Sequence, residues 1–324
     1  MRAPRWTRLW TTTLASANRT EQADRGLLDR RLVFLLGKGG VGRSTLAAAF
    51  GLLAARQGRR AIVVEVSGRG DVPRLFGQSA PSGVESELAP GIWTLDVDPR
   101  QALEEYLHDQ LPLRLLADVI GSSTTFGIVA AATPGLRELL TIGKIWELAQ
   151  TPRRARDAEP YDVVFVDAPA TGHGLALLEA PRTFASAAAA GPIARQGRRI
   201  AATLRDRSLT ALVAVATPER AAVDELIGMR ATLGSLDAEL VNGVATARFC
   251  AADAVTLREA HGRPELALET RRALAAALAA ETHARAQRLQ LERLPGAVQL
   301  PLLGDAELGI SALNTLADHL AALS

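Results

Sequence analysis

Apolar residues in this chain gather into short continuous runs separated by stretches of helical length, instead of alternating one by one with polar residues. Arg31 to Leu36 (RLVFLL) is the first run, and it stops at a glycine. Ser44 to Arg56 (STLAAAFGLLAAR) then reads as a buried helix, and Ala61 to Val66 (AIVVEV) as a second, β-branched strand. Further strands are expected at Gly91 to Val97, Asp162 to Val166, Leu209 to Ala216, Ala238 to Val244 and Ala297 to Leu300. Apolar strands that alternate with helices imply a parallel sheet covered on both faces. The fold class expected is therefore α/β, with a doubly wound, mostly parallel sheet.

Two stretches break the alternation. Residues 99–150 carry helical patterns such as QALEEYLHDQL and GLRELLTIGKIWELAQ, and residues 181–207 are rich in Ala and Arg. Both read as helical insertions in one domain spanning 29–324, with a poorly ordered extension at 1–28. There is no internal repeat and no second glycine-rich loop.

Composition sharpens this picture in three places. Hydrophobic residues make up 48% of 324, enough for a large core. The single cysteine, Cys250, excludes a disulfide framework within the chain and reads as a small buried residue. Among 37 basic residues only Lys38 and Lys144 are lysines, which makes each of them informative. No apolar run reaches the ~18 residues of a membrane span, and the expectation is a soluble protein in the cytoplasm. The net charge of +2 gives no nucleic-acid signal. The Arg195 to Arg207 cluster reads as a solvated helix face, and the final segment, with Asp318 and no Lys or Arg, as a docked helix. In residues 111–120, Leu111, Leu113, Leu115, Leu116, Val119 and Ile120 read as core packing, with a client groove as the alternative.

The chemistry is concentrated in Gly37 to Thr45 (GKGGVGRST). Gly37-x4-Gly42-Arg43-Ser44 follows an expected strand and opens an expected helix. Glycines there let the backbone N–H groups of Gly39, Gly40, Val41, Gly42 and their successors converge on phosphate oxygens. The helix N-terminus adds a favourable dipole, and the Ser44 hydroxyl can face Mg²⁺. ATP or ADP with Mg²⁺ is the ligand expected.

With a lysine directly after its first glycine, GKGGVG resembles the deviant phosphate loop of the dimeric ATPases. In that group the lysine reaches the partner's phosphates across the dimer interface. Asp162 to Pro181 (DVVFVDAPATGHGLALLEAP), Ala216 to Glu225 (ATPERAAVDE), Leu240 to Val244 (LVNGV) and Leu300 to Gly309 (LPLLGDAELG) together resemble the arsenite-pump and tail-anchored-protein-targeting ATPases. The resemblance implies a P-loop NTPase fold with Lys38 and Asp167 as catalytic residues. It also implies that Asp167 holds Mg²⁺ through water, that Ala168 to Gly174 senses the terminal phosphate, that Asn242 reads adenine and that Pro301 lines the base pocket. His173 lies in the sensing segment and reads as a packing residue.

Two positions depart from that family. Its usual phosphate-loop lysine is Arg43 here, and its water-orienting aspartate after the second strand is replaced by Ser67. Arginine and lysine are not interchangeable in a tight cradle. Asp71 or Glu65 could stand in for the missing carboxylate. The reading reached is a nucleotide-binding subunit, weakly or not hydrolytic alone. It works as a homodimer or, in preference, as a heterodimer with a related ATPase that receives Lys38 in trans. The alternatives are an active ATPase that handles a client or anion and, furthest from the sequence, a DNA-partition ATPase. No nucleic acid or membrane span is expected, and the client is not legible.

Overall fold

The computed structural model describes residues 26–110, 135–153, 158–187, 192–245, 251–263, 265–304 and 308–323. They form one eight-stranded sheet in the order β3-β4-β2-β5-β1-β6-β7-β8. Seven strands run parallel: β1 (Leu32–Gly37), β2 (Ala61–Glu65), β4 (Ile92–Asp96), β5 (Val163–Asp167), β6 (Thr210–Ala216), β7 (Ala238–Val244) and β8 (Val298–Pro301). Every residue of β1, β2, β5 and β6 is buried, because helices lie on both faces. That double burial is why these strands read as unbroken apolar runs. One strand escaped the sequence. β3 (Ser86–Ala89) pairs antiparallel with β4 at the sheet's edge, and its sequence SELA buries only Leu88.

The helices are α1 (Arg43–Arg56), α2 (Asp71–Leu75), α3 (Pro99–Gln110), α4 (Leu136–Leu148), α5 (Thr171–Ala187), α6 (Pro192–Arg205), α7 (Arg220–Leu233), α8 (Ala251–His261), α9 (Leu268–Leu291) and α10 (Ile310–Leu320). α1 lies between the sheet and α10, so Leu46 to Phe50 are buried without a break. Phe50 stacks on Phe165 of β5 with ring centroids 5.6 Å apart. α10 docks through Leu313, Leu316 and Leu320 and is tied to α1 by Arg56, which pairs with Asp318 at 2.7 Å.

In the first helical stretch, Lys144 of α4 pairs with Glu105 of α3 at 2.7 Å and approaches Glu147 at 3.7 Å, leaving its side chain 13% exposed. The expected cluster from Leu111 to Ile120 lies outside the described residues, as does Cys250. In the second stretch Pro181 sits inside α5, which already begins at Thr171. Gly197 lets α6 approach there, since a Cβ on it would lie 2.9 Å from the Pro181 carbonyl. Arg195, Arg198, Arg199 and Arg205 of α6 are exposed. At the other end of the chain Leu27 and Leu28 are buried in a 3-10 turn, so core packing begins ahead of residue 29.

Candidate functional site

The site lies at the carboxyl ends of the parallel strands, where the strand order switches direction beside β1. β1 ends at Gly37, and a Cβ there would lie 2.2 Å from the Val215 carbonyl of β6, so only glycine fits. The loop then turns through Gly40 and Gly42, both at positive φ, into α1. Gly42 is the N-cap and no side chain caps the helix. The N–H groups of Arg43, Ser44 and Thr45 precede the first intrahelical bond, from Leu46 to the Gly42 carbonyl, and face the cradle without a helical acceptor. Lys38 is exposed at the loop's tip and makes no hydrogen bond or ion pair among the described residues.

Two side chains of the first turn reach β5. The Ser44 hydroxyl donates to Asp167 Oδ2 at 2.5 Å, while Asp167 Oδ1 is buried without a partner. Burial raises the Asp167 carboxyl above its ordinary range, against the pull of Ser44 and the Arg43 charge. A hydroxyl beside a carboxylate with an unused oxygen fits a hard divalent cation. Among the described residues no three His, Cys, Asp or Glu are grouped to hold a metal. Phosphate and water would therefore complete the shell. Arg43 donates across the base of the cradle to the Ala168 carbonyl, directly after Asp167.

Asn242, on β7, is brought to the phosphate loop itself: its amide donates to the Val41 carbonyl at 3.0 Å. A Cβ on Gly42 would meet that amide at 2.3 Å. Pro301 ends β8 in register with Val244, two residues beyond Asn242. The expected sensing loop is three residues long, Ala168 to Ala170, before α5 begins. Thr171 Oγ1 is buried without a partner, and His173 is exposed in the first turn.

The ends of β4, β2 and β5 carry a row of carboxylates that no sequence spacing reveals. Asp96, Glu65 and Asp167 are in register on the three adjacent strands. Glu65 is wholly buried. Its Oε1 accepts the N–H groups of Asp71 and Val72 at 2.7 and 3.1 Å, and its Oε2 has no partner. Burial, with smaller contributions from Asp167 and Asp96, pushes its carboxyl up to about 7. Ser67 is exposed in the turn that follows. Of the two proposed stand-in carboxylates, Glu65 adjoins Asp167 on the neighbouring strand, while Asp71 pairs with Arg74 at 2.9 Å and its charge also raises Asp167.

A glycine cradle between a buried parallel strand and an uncapped helix, flanked by a strand-end aspartate, defines the P-loop NTPase class. The model of the anion-transporting ATPase family matches residues 30–194, and the chain belongs to that family. It is 31% identical to the ATPase BagA of Mycobacterium tuberculosis over 218 residues, 64% of each chain. The arsenical pump-driving ATPase of Escherichia coli is 26% identical over 233 residues, 65% of this chain and 39% of that one. ATPase GET3B of Arabidopsis thaliana is 28% identical over 170 residues, 47% of this chain and 40% of that one. The match thus spans just under two thirds of the length of the first of these relatives and less of the others. No helix among the described residues is long and apolar enough to cross a membrane.

Proposed function

We propose that this chain binds Mg-ATP or Mg-ADP in the loop from Gly37 to Thr45 and acts as a nucleotide-dependent subunit of a dimer, hydrolysing slowly by itself. The observation that carries this reading is the use made of Arg43, whose guanidinium is donated to the Ala168 carbonyl beneath the cradle. Binding through backbone amides survives that arrangement. Phosphoryl transfer is stabilised by positioned charge, and here the side chain replacing the usual lysine is drawn to the loop after β5. Ser67 offers no carboxylate to orient water. Bound Mg²⁺ would supply charge neutralisation at the phosphates, with Ser44 and Asp167 holding it.

In the dimer we assign Lys38 to the partner's phosphates, and a related ATPase is the partner that gains most from it. Its exposure at the loop's tip supports that role. The test is turnover of the purified chain, alone and mixed with a related ATPase from the same organism. Turnover alone at an ordinary enzyme rate, on the order of 10 per second, would refute slow hydrolysis.

One observation favours a second reading, an active ATPase. Glu65 has an unpartnered oxygen at the strand end beside Asp167 and could take over the orientation of water. A Glu65→Gln variant that loses all turnover would support it.

A further inference from the structure

Arg69 stands four residues beyond Glu65, in the turn that leaves β2. It is flanked by Gly68 and Gly70, both in left-handed conformations with φ of +68° and +61°. The turn's backbone is gripped from three sides. Gly68 N–H donates to Asp96 at 3.1 Å, Arg74 donates to the carbonyls of Arg69 and Gly70, and Glu65 accepts from Asp71 and Val72. The neighbouring charged side chains are thus occupied in bracing the turn. The Arg69 side chain is not: it is exposed, and its guanidinium makes no hydrogen bond or ion pair among the described residues.

Its position is the informative part. β2 is the immediate neighbour of β5, and Glu65 is in register with Asp167, so the turn leaves the sheet beside the Mg²⁺ candidate. The Arg69 charge is felt, more weakly than their nearer neighbours, by both Arg43 and Asp167, so the side chain lies within electrostatic reach of the cradle. Arg43 is committed to Ala168, whereas Arg69 is held nearby with its donors unused. A guanidinium presented on a braced backbone suits a phosphate, because its planar fork forms two parallel charge-assisted hydrogen bonds.

We propose that Arg69 is the residue by which this chain distinguishes a nucleoside triphosphate from a diphosphate, its guanidinium closing onto the terminal phosphate of a nucleotide held in the cradle. The inference rests on the nucleotide-binding reading above. It also gives the turn after β2 a purpose in a chain where Ser67 stands in place of a carboxylate. There a cation on a backbone braced by Asp96, Glu65 and Arg74 reads the phosphate that a carboxylate would otherwise help to remove.

The test compares two affinities in the full chain by calorimetry with Mg²⁺: that for ADP and that for the non-hydrolysable β,γ-imido analogue of ATP. In Arg69→Ala the affinity for the analogue should fall about tenfold, as for loss of a hydrogen bond to a charged group, while that for ADP stays within about twofold. Arg69→Lys should recover part of the loss, since it keeps the charge without the fork. Equal loss for both nucleotides would mean that Arg69 only shapes the turn, and no loss for either would mean that it touches no phosphate. Each of those results overturns the inference alone. Wild-type protein that binds neither nucleotide overturns the nucleotide-binding reading, and this inference with it.

Discussion

The side-chain amide of Asn242 donates to the Val41 carbonyl at 3.0 Å, joining the end of β7 to the phosphate loop across 201 positions of sequence. The loop's shape is thus set partly from outside. An amide that uses one N–H in this way keeps its oxygen for a base. Asn242→Ala should therefore cost about 1 kcal/mol of stability and weaken Mg-ADP and Mg-GDP alike, with a further loss confined to ADP. Denaturation and calorimetry give both numbers. Equal losses for the two nucleotides would remove Asn242 from base recognition, and loss for ADP alone would deny its hold on the loop.

Replacing Arg43 by Lys and Ser67 by Asp together should raise hydrolysis at least about tenfold, a barrier drop of roughly 1.4 kcal/mol. The lysine puts a compact ammonium in place of the wide guanidinium fork, while the aspartate restores a carboxylate after β2. Phosphate release under single-turnover conditions measures the change. No increase would mean that slow hydrolysis has another origin.

Lys38→Ala should lower turnover by a related partner ATPase in a mixed assembly while leaving this chain's own nucleotide affinity within about twofold. The charge stabilises phosphate only when the interface closes, so assembly and catalysis are coupled. Unchanged partner turnover, or a chain that stays monomeric with every nucleotide and partner, would rule out the trans role.

Stability of the nucleotide-free protein should fall as pH rises from about 4.5 to about 7 through Glu65. The sign follows from proton uptake. Its folded-state pKa lies above the unfolded value, so the native chain holds the extra proton in that window and loses stability on releasing it. The burial that raises Glu65 outweighs the N–H bonds from Asp71 and Val72, while Asp167 and Asp96 add to it; Asp167, itself raised, contributes with the same sign. By order of magnitude the loss reaches about 3 kcal/mol. Glu65→Gln should flatten that part of the urea-midpoint profile. A wild-type profile already flat between pH 5 and 7.5 would contradict this account of Glu65.

The sheet was legible because its central strands are buried on both faces and so spell continuous apolar runs. β3 was not, being a four-residue edge strand with a single buried side chain, Leu88. The α8 and α9 hairpin also passed unseen. α9 buries only Glu281, Ala284 and Gln287 among its described side chains, so no apolar stripe marks it. In the site, the cradle was readable because its glycines answer to local backbone geometry. The row Asp96, Glu65 and Asp167 depends on strand register, which no local pattern encodes, and the reach of Arg43 to Ala168 depends on where β5 ends beside β1. Asn242 was singled out as a base reader, and its hold on Val41 is a contact between segments that sequence spacing does not bring together.

The ion pairs around Lys144 have a practical consequence. Its ammonium is enclosed between Glu105 and Glu147, whereas Lys38 stands free in solvent, and the chain has no third ε-amine. An acylating reagent used sparingly would thus mark the tip of the phosphate loop ahead of every other lysine. The extent of that labelling, read by mass spectrometry, would report directly on whether the cradle is open, filled or covered by another subunit.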